Sequence, residues 1–289
     1  MRYATAAAFR MALEEHISRL HKAGGPAIPR LRKRIAFERL LRRLQVSPDS
    51  PWVLKGAVAL DLRYGNRARA TKDMDLGIDP SFFGPRSHDP SEIAGRLQVA
   101  AATPLEDFFI FNLPGEGENI PLEPGVRAYR FRVRASLAGR PFEEFRLDVG
   151  LGIQLVTPPE EIPESDTLIF AGIAPGRFRA IPLSQHFADK IHAFTFPWKD
   201  RENTRVKDLV DLVLILEASP TGPGSARLAL EAVFERRGTH PLPAKIPDPP
   251  PSWAGPYSAS AAEIGLSHVS MDEATELLQR YWSGMFPVR

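Results

Sequence analysis

The sequence predicts an α/β protein in which an N-terminal lobe, residues 1–180, is followed by a helical lobe, residues 181–289. Two neighbouring segments, 128–137 and 141–149, alternate between apolar and polar residues, which predicts a β-hairpin. From Pro182 onward the apolar spacing changes to three and four, the period of packed helices. Strands therefore concentrate in the first lobe and helices in the second.

Other helices are predicted within the first lobe. Ala, Met, Leu and Ile recur at spacings of three and four in residues 4–20, and the Gly-Gly-Pro segment at 24–26 ends that helix. A second helix is predicted over residues 29–44. A third is predicted near residues 91–101, within a stretch rich in proline and glycine.

In the second lobe the apolar spacing predicts three helices, over residues 184–194, 205–218 and 271–281, the last capped by Ser270. The helix over 205–218 is apolar nearly all round, which predicts burial. Residues 241–256 are rich in proline but also apolar. We expect that segment to pack on the protein surface and not to act as a free linker.

Composition limits the classes of function. The chain has 289 residues, of which 43% are hydrophobic and 25% charged, as in ordinary globular proteins. It has no cysteine, which excludes disulfides, thiol catalysis and Cys-based zinc sites. No segment approaches the length of a membrane span, and Glu14 and Glu15 stand where a signal peptide would need an apolar run, so a cytoplasmic protein without a membrane partner is expected. With a net charge of +2, any attraction for nucleic acid must come from local patches.

The most informative segment contains two aspartates on one strand face. Side chains alternate across a strand, so Thr71, Asp73 and Asp75 point to one side, and Met74 and Leu76 point into a core. Two carboxylates so placed suit a hard divalent cation such as Mg²⁺, which shares its remaining positions with water and substrate phosphates. The alternative is a solvated strand face with ordinary carboxylates.

Upstream of the aspartates, Lys55 and Gly56 follow an apolar run and precede a helical pattern. This predicts a strand, a glycine turn and a helix start, where a backbone can approach a phosphate closely. Glycine-rich loops of P-loop enzymes or dinucleotide-binding enzymes are absent, so those classes have no support.

These motifs together resemble the nucleotidyltransferase fold of the polymerase-beta type and, more closely, the AbiEii/AbiGii toxin family, which includes the MenT-type toxins of type IV toxin–antitoxin systems. The matching segments, in the family's order, are Leu54-Lys55-Gly56 with Ala59-Leu60, Arg69-Ala70-Thr71-Lys72-Asp73-Met74-Asp75-Leu76, Lys190, and Lys207-Asp208-Leu209-Val210-Asp211-Leu212. Residues 236–240 and 249–253 also look like this family, so the resemblance covers most of the chain. It implies a nucleotidyltransferase lobe with a mixed sheet and a helical C-terminal lobe that completes the active site.

The resemblance also implies an activity: transfer of a nucleoside monophosphate from an NTP to an RNA hydroxyl, with Mg²⁺ or Mn²⁺ as cofactor and pyrophosphate as the leaving group. A tRNA 3′ end is the implied acceptor, and a cognate antitoxin the implied partner. Asp73 and Asp75 would bind the metal, and Lys55, Gly56 and Thr71 would bind the nucleotide. Two alternatives stay open: transfer to a protein or small molecule, and an RNA-binding module without catalysis.

Lys190 falls among core-facing residues of its helix, where an ammonium group needs an anion or a route to water. A phosphate would be a suitable anion, and the resemblance favours that interpretation with a catalytic role. The alternative is a surface lysine that pairs with His186 or Asp189.

Three more carboxylates are candidates. Asp208 and Asp211 are three residues apart on an apolar helix and need partners, so they are either catalytic or structural ion-pair residues. The resemblance makes one of them essential, and spacing does not tell which. Asp148 is either a third metal carboxylate or a strand-end residue that pairs with Arg146.

A basic helix supplies a candidate RNA surface. Residues 30–43 contain seven arginines and lysines against one glutamate, and Arg32, Arg39 and Arg43 form a stripe opposite the apolar side. A stripe of one sign suits a nucleic-acid backbone, although it is also compatible with a merely solvated face. A second candidate surface consists of three alternating strand residues, Arg130, Arg132 and Arg134.

Overall fold

The computed structural model describes residues 1–78, 89–123, 126–198, 202–219 and 221–287. The helices are α1 (Ala6–Lys22), α2 (Ile28–Leu44), α3 (Gly56–Tyr64), α4 (Pro90–Ala101), α5 (Leu183–Thr195), α6 (Val206–Ala218), α7 (Pro223–Arg237), α8 (Ala254–Glu263) and α9 (Met271–Met285). The strands are β1 (Trp52–Lys55), β2 (Asp73–Ile78), β3 (Phe109–Asn112), β4 (Glu118–Glu123), β5 (Val126–Leu137), β6 (Arg140–Leu151), β7 (Glu160–Pro163) and β8 (Arg177–Ala180).

The strands form one mixed sheet in the order β3-β5-β6-β2-β1-β8-β7, with β4 also paired to β5. β2 runs parallel to β6, and β1 runs parallel to β8, whereas β1–β2 and β5–β6 are antiparallel. The predicted α/β class with a mixed sheet is confirmed. The predicted hairpin is confirmed as β5–β6.

One hydrophobic core lies between the sheet and helices α1, α2 and α4. Phe9, Ile35 and Leu40 from the helices and Val133 and Leu147 from the sheet are fully buried in it. Because side chains alternate, the neighbours of Val133 and Leu147 along β5 and β6 point to the opposite face of the sheet. That face carries the charged residues that matter below.

A second core surrounds α6, which is buried from Asp208 to Leu216 as its sequence predicts. Helices α5, α7, α8 and α9 supply most of its other residues, although Leu60 of α3 and Ala68 also belong to it. Trp253 is buried there, so the proline-rich segment does pack. The division into lobes at residue 180 stays a prediction.

Local signals explain most helix boundaries. Ser270 caps α9 in a capping box with Glu273, as predicted. Helix α7 is not among the helices predicted from the sequence. It begins within the Gly-Pro-Gly segment at 222–224, and Pro223 occupies its first turn, where proline is tolerated. None of the described helices is long and apolar enough to cross a membrane.

Candidate active site

A cavity of about 450 Å³ opens between β2, the start of α3, and helices α5 and α6. Its volume is in the range of small-molecule sites. Most of the predicted site residues line it: Lys55, Gly56, Thr71, Asp73, Asp75, Asp148, Lys190 and Asp208. The structure therefore brings together residues that are far apart in the sequence.

Asp73 and Asp75 begin β2 and are both half-buried at the cavity. Within the described part of the chain, neither carboxylate accepts a hydrogen bond or forms an ion pair. Burial, together with the neighbouring charge of Asp148, raises the pKa of Asp75 to about 6. Two neighbouring carboxylates without a hydrogen-bond or ion-pair partner among the described residues favour a bound cation.

The donor set fits a magnesium ion that is shared with substrate. No group of three His, Asp or Glu side chains arranged to hold a metal occurs among the described residues. Asp73 and Asp75 would thus supply two oxygen ligands and leave the other positions to water and phosphate oxygens. Mg²⁺ is commonly bound in that way.

Gly56 allows Asp75 to take its position. Lys55 and Asp75 are register partners in the β1–β2 pair, and α3 starts directly at Gly56. Gly56 has a φ of +61°, and a Cβ atom placed on it would lie 2.0 Å from Oδ2 of Asp75. Both observations require glycine at this position.

Thr71 lies before β2 and not within it, so only Asp73 and Asp75 share the predicted strand face. Its hydroxyl donates to the backbone oxygen of Asp73 at 3.1 Å. Thr71 still lines the cavity, and this hydrogen bond stabilises the backbone that carries the first carboxylate.

Lys190 is buried on α5 and forms ion pairs with both aspartates of α6. Its Nζ donates to Asp208 at 2.9 Å and to Asp211 at 2.6 Å. Burial alone would lower the pKa of Lys190, but the two carboxylates outweigh it and raise the pKa. The alternative of a surface lysine is wrong, because Lys190 is buried and pairs with Asp208 and Asp211. Asp189 pairs with Arg237 instead.

Asp208 and Asp211 differ in position. Asp211 is almost fully buried and also accepts two hydrogen bonds from Arg69, at 2.9 and 3.0 Å. Although burial would raise the pKa of Asp211, Lys190 and Arg69 lower it. Asp208 reaches the cavity, whereas Asp211 lies behind Lys190 and Arg69 and positions both cations.

Asp148 lies beside Asp75, its register partner on β6. Both of its oxygens accept hydrogen bonds from Arg130, each at 2.7 Å. The expected pairing with Arg146 is therefore wrong. Its role as a third metal ligand stays a prediction, and would require sharing oxygens that Arg130 already occupies.

Two residues of the site, Arg69 and His186, are not predicted as site residues by the sequence. Arg69 lies within the quoted motif, but its partner Asp211 is 142 residues away and local spacing does not connect them. His186 lines the cavity, and both of its ring nitrogens lack a hydrogen-bond partner among the described atoms. Burial and the nearby Lys190 charge hold the pKa of His186 well below its ordinary value, so the ring is neutral.

The predicted RNA-binding stripe on α2 is wrong as a solvent-facing surface. Arg39 and Arg43 are only 2% and 3% exposed, and both donate to Asp107, which is fully buried. Arg39 also pairs with Glu164, and Arg32 donates to Glu14 and to the backbone oxygen of Phe142. A helical wheel assumes one packed face, but α2 is covered on its charged side too.

The mixed sheet, with two carboxylates on its second strand and a glycine turn before it, is the arrangement that the sequence predicts for a nucleotidyltransferase. Residues 39–286 match the model of the family described as "Nucleotidyl transferase AbiEii toxin, Type IV TA system", and the chain belongs to that family. The predicted family is thereby confirmed. No curated protein sequence matches the chain.

Two solved structures are similar to this fold. The nucleotidyltransferase toxin MenT4 from Mycobacterium tuberculosis H37Rv has a TM-score of 0.58 at 18% identity, over 96% of this chain and 90% of that one. JHP933 from Helicobacter pylori has a TM-score of 0.47 at 17% identity, over 88% of this chain and 92% of that one. The similarity to MenT4 supports the fold.

Proposed function

We propose that this nucleotidyltransferase uses Mg²⁺ to transfer a nucleoside monophosphate from an NTP to the 3′ end of a tRNA, with release of pyrophosphate. The observation that carries the proposal is the carboxylate pair Asp73 and Asp75, which has no hydrogen-bond or ion-pair partner among the described residues and faces a cavity lined by several cations. Negative charge for a metal and positive charge for phosphates thus lie a short distance apart. Transfer to a tRNA end would block translation and account for toxicity.

The triphosphate of the donor nucleotide would bind against Lys55 and the N-terminus of α3. The first backbone N–H groups of a helix lack partners inside the helix and favour anions. Gly56 and Ala57 line the cavity at this point. Lys72 and Lys207 add positive charge at the same cavity.

Lys190 would bind a phosphate oxygen while keeping its two aspartates. An ammonium group has three donors, and Asp208 and Asp211 account for two of them. The third is available to an anion in the cavity that Lys190 lines. In this proposal Asp211 positions Lys190 and Arg69 and does not contact substrate.

A divalent cation held by Asp73 and Asp75 would neutralise charge that develops on the transferred phosphoryl group. The protein residues around the two aspartates would fix the positions of their carboxylates. Gly56 leaves room for Asp75, Thr71 fixes the backbone at Asp73, and Lys55 is the register partner of Asp75 across β1 and β2.

Family membership in a type IV system implies an antitoxin partner, and we propose that a cognate antitoxin opposes the toxicity of this chain. An acceptor tRNA would place the reaction in the cytoplasm.

The test is to incubate each α-³²P-labelled NTP with the protein and Mg²⁺, once with total tRNA and once with total protein. We expect label in the tRNA band, and none when EDTA replaces Mg²⁺. Label only in protein would overturn the RNA acceptor and support the alternative acceptor class. Absence of label from every acceptor would overturn the enzymatic proposal in favour of an RNA-binding module.

A further inference from the structure

We propose that the sheet face of β5 and β6 beside Asp73 binds the phosphate backbone of the acceptor RNA, mainly through Arg132 and Arg146. This inference rests on the proposed function in assuming an RNA acceptor, and it assigns a surface to that acceptor. It replaces the α2 stripe, whose arginines form ion pairs within the protein.

The strand register places these arginines next to the carboxylate pair. Asp73 on β2 is the register partner of Arg146 on β6, and Arg146 is the register partner of Arg132 on β5. Neighbouring strands are about 4.8 Å apart, so the two arginines lie roughly 5 and 10 Å along the sheet from the strand of Asp73. Their sequence neighbours Val133 and Leu147 are buried in the core, so the arginines occupy the opposite face.

The charge on this face is not balanced. Like charges directly opposite each other destabilise a strand pair, yet Arg132 and Arg146 are such a pair. Arg146 has no hydrogen bond or ion pair to any described residue. Arg132 is 64% exposed, and among the described residues it pairs only with Glu144, at 3.4 Å, which Arg134 shares at 3.3 Å. On β5 and β6 this face therefore carries four arginines, of which Arg130 pairs with Asp148, and two carboxylates, Glu144 and Asp148.

The arginine face is separate from the nucleotide cavity. Neither Arg132 nor Arg146 lines that cavity. In the sheet order β5-β6-β2-β1, the arginines lie on one side of β2, and Lys55 on β1 lies on the other. Asp73 and Asp75 therefore stand between two cationic regions, as a reaction between an anionic donor and a polyanionic acceptor requires.

An RNA strand fits this surface by charge and by geometry. A guanidinium group forms paired hydrogen bonds with phosphate oxygens, and arginines on rigid strands lose little freedom when they bind. A strand whose phosphates contact Arg132 and Arg146 would bring its terminal hydroxyl towards Asp73.

The test compares two charge-matched double variants. Arg132→Gln with Arg146→Gln removes the proposed contacts. Arg177→Gln with Arg227→Gln removes two exposed arginines that do not line the cavity, one on β8 and one on α7. Fluorescence anisotropy measures the affinity of each protein for labelled total tRNA over a range of salt concentrations, and for poly-glutamate as a second polyanion.

We expect the Arg132/Arg146 variant to bind tRNA at least about tenfold more weakly, with a log–log salt slope shallower by about 1.5, the loss of two phosphate contacts. The Arg177/Arg227 variant should match the wild type, and all three proteins should bind NTP equally. Equal tRNA affinity and slope in the two variants would overturn the inference. So would a wild-type protein that binds poly-glutamate but not tRNA, or a loss of NTP affinity in the Arg132/Arg146 variant.

The labelling experiment and the tRNA-binding experiment test the reaction and the binding surface separately. If the wild type binds tRNA through this face but labels only protein, the proposed reaction fails and the binding surface stands. If tRNA is labelled equally well by both double variants and bound equally well, the surface fails and the proposed reaction stands.

Discussion

Gly56 and Asp75 are in direct contact, because a Cβ atom on Gly56 would lie 2.0 Å from Oδ2 of Asp75. The position of the Asp75 carboxylate on the acidic strand therefore depends on the glycine turn. The turn does more than end a strand: the missing side chain leaves the space that the carboxylate occupies.

Gly56→Ala should therefore displace Asp75 and reduce nucleotidyl transfer by at least about a hundredfold, the scale of losing one preorganised charged group. Gly65 offers a matched control, since it has the same φ of +61° but open space around its Cβ position. Both alanine variants should lose roughly 1–2 kcal/mol of unfolding free energy from backbone strain, measured by urea denaturation. Transfer rates for the two variants that agree within a few-fold would refute the steric argument.

The ion pairs of Lys190 predict a difference between the two aspartates of α6. Asp211→Asn leaves Lys190 and Arg69 facing a neutral group in a buried site, where breaking a pair costs about 3–5 kcal/mol. Asp208→Asn should cost less, because Asp208 is nearer to solvent and Lys190 retains Asp211. Urea denaturation at pH 7 measures both, and a larger loss for Asp208→Asn would contradict the arrangement.

The same cluster predicts acid sensitivity. The pKa of Asp211 is lowered in the folded protein, so its contribution to stability is complete above its ordinary unfolded value of 3.8 and is lost as the pH falls through the lower folded value. Asp211→Asn should flatten this part of the stability profile. A profile below pH 4 that is unchanged in the variant would contradict the assignment.

Glu38 predicts the opposite pH dependence. It is buried on α2 and accepts hydrogen bonds from the backbone and hydroxyl of Ser165. Burial, with a contribution from Glu164, raises its pKa from 4.5 to about 7. Protonation is therefore favoured in the folded state, so stability from this group is full below about pH 4.5 and is lost as the pH rises through about 7.

Glu38→Gln keeps an acceptor for Ser165 and removes the titration. We expect the variant to lose less unfolding free energy than the wild type between pH 5 and 7.5, measured by urea denaturation at several pH values. Parallel pH profiles for the two proteins would contradict a raised pKa for Glu38.

Local patterns in the sequence predict local structure well. The alternation at Asp73 and Asp75, the hairpin β5–β6 and the capped start of α9 each depend on residues a few positions apart. The sequence also assembles most of the candidate site, because the motif segments each carry one side of the cavity. The role of each site residue in catalysis stays a prediction.

Partners that are distant in the sequence could not be predicted. Asp107 lies 64 residues from Arg43 and Asp211 lies 142 residues from Arg69, and no periodicity links such positions. A helical wheel of α2 therefore predicts a basic stripe, but it does not predict that Asp107 pairs with the arginines of that stripe and that they are buried. Conversely, the exposed Arg146 emerges only when the register of β2, β5 and β6 is known.

The most direct test of the central claim is the rate of Mg²⁺-dependent nucleotidyl transfer in Asp73→Asn and Asp75→Asn, with the exposed Asp49→Asn as control. We expect both site variants to lose transfer while their melting temperatures stay equal to or above that of the wild type, because each substitution removes repulsion between neighbouring carboxylates. Asp49→Asn should retain the wild-type rate. Transfer near the wild-type rate in either Asp73→Asn or Asp75→Asn would contradict the assignment of this carboxylate pair as the catalytic metal site.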